Sequence, residues 1–237
     1  MSKKAKDLAV IDFDADSGAG LENIGTADIA IPYINIIQKV SPALEEIDGS
    51  KPGDIFNSVS HEVYKELRVI PCAYKRAFVE WKPRNQGGGF VGEHASNSSF
   101  VSNPRNEKGE IVLDNGNVLV ETAYFYVITC DTFERAVINM SSTNLKVARR
   151  WNGQMLNIKI NGKTPAMFSH SYVVSTSLQK NDKGTWYTFD IKEAKQLDDV
   201  NHYNLGKSLS TNVIEGKMQA TPPSRQSLDK PDEQAHF

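Results

Sequence analysis

The stretch KRAFVEWKPRNQGGGFVGEH, residues 75–94, alternates cations with large aromatics. On a β-strand successive side chains face opposite ways, so Tyr74, Arg76, Phe78 and Lys82 would share one face, with neighbours two residues apart about 6–7 Å from each other. That step is close to the one between bases in an extended single strand. Cations at this spacing can track phosphates while rings stack on bases, which is how proteins hold single-stranded nucleic acid without reading its sequence. Each stacked base is worth about 1–3 kcal/mol, and the phosphate contacts make affinity salt-dependent. Lys75, Trp81 and Arg84 belong to the same stretch and extend the candidate surface. The pattern recurs in LQKNDKGTWYTFD (178–190), where Lys180 and Lys183 fall in a turn just before Trp186 and Tyr187, and Arg149–Arg150 add a further basic spot. A plainer reading is that the rings pack a sheet and the cations form its solvated face. Pro71 complicates both readings, because a bulge there would exchange the two faces and present Trp81 in place of Tyr74 and Phe78.

Other chemistry finds less support. Glycines 87–89 either turn a hairpin or loosen a loop that closes over a strand, but they lack the GxxxxGK[ST] spacing of a phosphate loop. Histidines 61, 94, 170, 202 and 236 show no zinc-type spacing, and no nucleophile elbow or catalytic-cysteine signature is present. Neither a metal nor a cofactor is expected, and the chain is read as a binding protein rather than an enzyme. One enzymatic alternative stands beside it. Asp54, Glu80 and Lys82 could supply the metal-binding carboxylates and activating lysine of a restriction-type nuclease. A third possibility is a virion or assembly protein whose β-rich body packs against copies of itself.

These side chains need elements to position them, and the hydrophobic pattern supplies mainly strands. LRVIPCAYKRAFVEWK (67–82) is the strongest, being β-branched and aromatic for most of its length. VLVETAYFYVITC (118–130), ERAVINMS (134–141), MFSHSYVVSTSLQK (167–180) and TWYTFDI (185–191) read likewise, and IFNSVSHEVY (55–64) follows a short apolar element, IPYINIIQ (31–38), that could be strand or helix. A helix is expected over 143–158, capped by Ser142 or Thr143. Its apolar stripe is Val147, Trp151, Met155 and Ile158, which makes Trp151 a core residue. A second helix is expected within 193–216. Many strands with one or two attached helices give a mainly β, α+β chain, and the expected architecture is an OB-like small barrel with long loops.

The 237 residues fit a single β-rich domain over 26–217, between a flexible acidic arm (1–25) and a disordered tail (218–237). The formal net charge of −2 gives no global basic signal, so a polyanion must be met by a local patch. No apolar run reaches the roughly 20 residues of a membrane span, and the lysine-rich start lacks the apolar core of a signal peptide. Cys72 and Cys130 lie in apolar, β-branched surroundings and are expected to be buried free thiols. The expected location is the cytoplasm, that of the host cell if the chain is phage-encoded, with no membrane partner.

IPYINIIQKVSPAL, GDIFNSVSHEVY and VIPCAYKRAFVEWKPRNQGGGFVGEH, in this order and spacing, resemble a group of tailed-phage early proteins associated with single-stranded DNA binding. The resemblance covers about residues 30–95. It implies an OB-like barrel, a role in replication or recombination, self-association into a homo-oligomer, and single-stranded DNA as partner. Binders of this type end in an acidic tail with a terminal aromatic that recruits replication proteins. Here Asp229, Asp232, Glu233 and Phe237 would serve, diluted by Lys230 and His236.

Overall fold

The computed structural model describes residues 14–25 and 30–218, apart from Lys108, Lys183 and the side chain of Arg84. The chain divides into two units at Ala30/Ile31. In the first, residues 14–25 form exposed turns held by local backbone hydrogen bonds such as Ser17 N–H to Asp14 O (3.3 Å) and Ala19 N–H to Asp16 O (3.1 Å).

The second unit is mainly β. A small antiparallel sheet joins β1 (Ile34–Ile36), β2 (Ile55–Asn57) and β3 (Val63–Tyr64), with the single-turn helix α1 (Ala43–Glu46) between the first two. The large sheet is built on two long strands, β4 (Leu67–Trp81) and β7 (Val118–Thr129), paired antiparallel along nearly their whole length. β5 (Phe90–Ala95) and β6 (Ile111–Val112) flank one end of this pair. β8 (Arg135–Ser141) and β9 (His170–Asn181) flank the other, and β10 (Gly184–Gln196) forms the outer edge beyond β9. Both long strands carry the β-branched and aromatic residues that favour a pleated, two-sided surface.

Pro71 has no N–H to give to a ladder, and the β4–β7 register slips between Pro71 and Ala73. The slip reverses the alternation. Leu67 and Val69 join one core with Phe125 and Trp151, whereas Ala73, Ala77, Val79 and Trp81 join the opposite one with Tyr124 and Tyr126. The bulge that Pro71 allows is present, but it does not put Trp81 in the place of Tyr74 and Phe78. Instead it sets Tyr74, Arg76 and Phe78 on the same side as Leu67 and Val69.

Helix α2 (Leu145–Asn157) covers that first side with Val147, Ala148, Trp151 and Met155. Trp151 stacks on Phe125 (centroids 4.4 Å apart) and meets Tyr172 edge-on (5.6 Å). Neither Ser142 nor Thr143 caps it. Asn144 holds the N-cap position, and its side chain instead accepts from Phe189 N–H (2.8 Å), tying the helix start to β10. Helix α3 (Val200–Ile214) covers the other side. It starts at Asp199, whose carboxylate accepts from Asn201 N–H (2.7 Å). It comes close because Gly206 has no side chain: a Cβ there would lie 2.7 Å from Phe168 Cβ. The free thiols are Cys72, buried, and Cys130, half-buried rather than buried; desolvation pushes the Cys72 pKa far up and that of Cys130 to about 11.

The expected barrel is not closed. β10 and β8 lie at opposite edges of the large sheet, and among the described residues no strand pairing joins them. The segment leading through β1 bridges the gap by other means. On one side Val137 N–H donates to Pro32 O (2.9 Å); on the other the Gln38 amide brackets Tyr187, accepting from its N–H and donating to its C=O at 2.8 Å each. Among the described residues no helix is long and apolar enough to cross a membrane.

Candidate functional site

A lone glutamate, Glu121, sits in the middle of the apolar strand β7, opposite Phe78 and only 9% exposed. A buried carboxylate needs cationic partners. Three arginines from three separate elements supply them: Arg76 on β4 at 2.9 Å, Arg105 from the loop before β6 at 3.5 Å, and Arg149 on α2 at 3.6 Å. The anion is sunk while its partners are not; the arginine side chains are 46, 40 and 68% exposed. One carboxylate neutralises one guanidinium, so the cluster presents an excess of two positive charges. It also offers many N–H donors whose planar forks suit phosphate.

Phe78 is the floor of this cluster rather than part of its surface. It is wholly buried, packed with Ile111 and Leu119 against Val101 and Leu113, and the guanidinium carbons of Arg76 and Arg105 each stand 5.8 Å from its ring centroid. Its expected role as a stacking ring is corrected here, because the segment between β5 and β7 folds over this part of the sheet. Tyr74 remains available. Its ring tilts against Phe125 (5.1 Å) yet is 39% exposed, two residues from Arg76 on the same face. Lys82 is exposed at the end of the strand.

Tyr74 also forms one wall of a cavity of about 330 Å³ between the C-terminal half of α2 and the chain leading into β9. Met155, Leu156, Met167 and Tyr172 line it with apolar surface, and Asn152, Ser169 and His170 add polar groups. His170 Nδ1 contacts Ser169 Oγ at 2.8 Å, and burial lowers the His170 pKa, favouring the neutral ring.

The remaining sequence candidates lie elsewhere. Lys75 is on the opposite face, paired with Glu93. Trp81 is buried there at 2% exposure, edge-on to Phe90 (5.9 Å), so it too is corrected as a stacking ring. Arg150 turns from Arg149 toward Asp190 on β10 (3.0 Å). Lys180 is exposed near the β9–β10 hairpin, whereas Trp186 is half-buried and Tyr187 packs against the α2-side core. Along the strands that hairpin lies the opposite way from Arg76. From the Leu67–Val174 pairing, β9 runs six residues one way to Lys180 while β4 runs nine the other way to Arg76, roughly 50 Å of strand path. The separation follows from register, which the sequence pattern does not carry. Lys183, the Arg84 side chain and the tail residues Asp229, Asp232, Glu233 and Phe237 lie outside the described residues.

Asp54, Glu80 and Lys82 do not converge. Asp54 pairs with Lys65, next to Gly53, whose carbonyl accepts from Thr176 near the start of β4. Glu80 is thirteen residues along that strand from Leu67, roughly 40 Å of strand path, held by His94 Nε2 (2.6 Å) and Asn117 Nδ2 (2.5 Å). Arg105 and Glu121 were not among the sequence candidates. Glu121 left a signal nonetheless, as one charge in VLVETAYFYVIT; Arg105, in a polar loop, left none.

A family model described as Pam3 phage gp34-like protein matches residues 2–219. No curated protein and no solved structure matches the chain.

Proposed function

The chain belongs to the Pam3 phage gp34-like family, and from that phage origin we propose that it binds single-stranded DNA, without reading its sequence, in phage DNA replication or recombination. The observation that supports this reading is the arginine cluster. Arg76, Arg105 and Arg149 keep much of their surface in solvent while Glu121 fixes them from below, and Tyr74 offers a ring beside them. Such a surface meets phosphates with pre-positioned guanidinia and one base with an aromatic face. Holding the arginines on an ion pair lowers the side-chain entropy lost when DNA arrives. The OB-like part of the expectation becomes a functional analogy: an open sheet crossed by a helix presents a basic-aromatic surface as a small barrel would.

Titration of labelled oligo-dT at two salt concentrations, with duplex of equal length as control, tests the reading. Single strands should bind more tightly than duplex, and affinity should fall steeply with salt. Replacing Arg76 and Arg149 together by Gln should reduce the slope of log affinity against log salt by roughly 1.4, if each contacts one phosphate. Equal affinity for duplex, or indifference to salt, overturns the proposal.

A further inference from the structure

The cavity beside Tyr74 and the arginine cluster share helix α2. Arg149, Asn152 and Leu156 are spaced i, i+3 and i+7, so one stripe of the helix runs from the guanidinia to the cavity rim. Tyr74 makes the same connection from the sheet, two residues from Arg76 and lining the cavity with its exposed ring. Resting on the proposed binding of single strands, we infer that this cavity is a nucleobase pocket: one base of the bound strand turns out of the stack and inserts beside Tyr74 while its flanking phosphates lie on the arginines.

Size, lining and charge argue for this occupant. A volume of about 330 Å³ is at the small end of ligand pockets, which span about 300–1,000 Å³. The walls are flat or soft, Tyr74 offering ring surface above a floor closed by the buried Tyr172, and Met155 and Met167 offering polarizable thioethers that adapt to an inserted ring. Asn152 presents both a donor and acceptors and can meet a base edge in either sense. A purely apolar ligand would leave that amide idle and gain nothing from the positive charge at the entrance, whereas a nucleotide unit carries a ring for the one and an anion for the other. An unpaired single strand gives up little to turn one base outward.

The test uses the full chain and two labelled oligomers of equal length, oligo-dT and an abasic oligodeoxynucleotide, which share the phosphates and differ in the bases. Ala166→Leu and Thr164→Leu each place a bulky aliphatic side chain, which offers a base no ring to stack on, at an exposed position on the cavity rim and so narrow it without disturbing the core. The unsubstituted protein should prefer oligo-dT roughly 5- to 150-fold, the worth of one stacked base. Either leucine variant should lose most of that preference while its affinity for the abasic oligomer stays unchanged. Equal binding of both oligomers by the unsubstituted protein, or full preference retained in both variants, overturns the pocket. Failure of the unsubstituted protein to bind either oligomer is a different result, which overturns the proposed function and the pocket with it.

Discussion

Glu121 keeps three like charges within reach of one another on a half-buried surface, and its removal should therefore separate stability from binding. Glu121→Gln leaves Arg76, Arg105 and Arg149 with a neutral acceptor, so their mutual repulsion is no longer offset. The loss should be about 1–2 kcal/mol, less than for a fully buried pair because the guanidinia are solvated. The same change frees a cation for phosphate, a gain that at low salt should exceed the pre-ordering it removes, so affinity for oligo-dT should rise. A variant both less stable and weaker in binding would show that Glu121 positions the arginines more than it competes for them. Glu80 gives a second, pH-dependent prediction. Burial by itself raises its pKa, but hydrogen bonds from Asn117, His94 and Asn115 outweigh burial and hold it below the usual 4.5. A carboxylate with a depressed folded pKa contributes stability that is present in full above 4.5 and is lost as pH falls through the folded value. The gap in urea midpoint between the unsubstituted protein and Glu80→Gln should thus be largest at neutral pH and shrink in acid. A gap constant with pH would mean that the carboxylate charge contributes nothing here.

The elements of the large sheet meet their partners by two kinds of bond. Within it, backbone ladders suffice; at its outer edge, β10 has no further strand among the described residues and is instead closed by the Gln38 amide on both polar groups of Tyr187. That side chain stands in for one rung of a ladder. Gln38→Leu should cost about 1–3 kcal/mol through two edge groups left without their partner, and should expose a strand edge able to pair with another chain. The denaturation midpoint and light scattering check this together: a lower midpoint with more association is the expected outcome, and an unchanged midpoint would show that water replaces the amide at no cost. The long elements themselves were legible in advance. Strands expected at 67–82, 118–130, 134–141, 167–180 and 185–191 and the helix at 143–158 correspond to β4, β7, β8, β9, β10 and α2, because long β-branched or helical periodicities leave few alternatives. The small pieces α1, β5 and β6 were not separated from loop. A two-residue strand such as β6 exists only because β7 is there to pair with it.

Taken as a whole, the chain shows where sequence stops deciding. Its residues by themselves determined a mainly β body with attached helices and the apolar stripe of α2 with Trp151 in the core, and they marked Pro71 as an edge or a bulge, since each follows from local periodicity or from a missing N–H. They also placed Tyr74 and Arg76 on one strand face. Tertiary structure decided which of the basic-aromatic residues share a surface. The loop carrying Arg105 crosses the sheet and buries Phe78, the register of β9 carries Lys180 and Trp186 to the far end, and α2 lays Arg149 over Glu121. It also left the sheet open, with a side-chain amide closing what a barrel would close with a strand. The physical reason is the same in each case: period and propensity act over a few residues, whereas register, crossing segments and buried ion pairs join residues tens of positions apart, and no local pattern encodes which of them will meet.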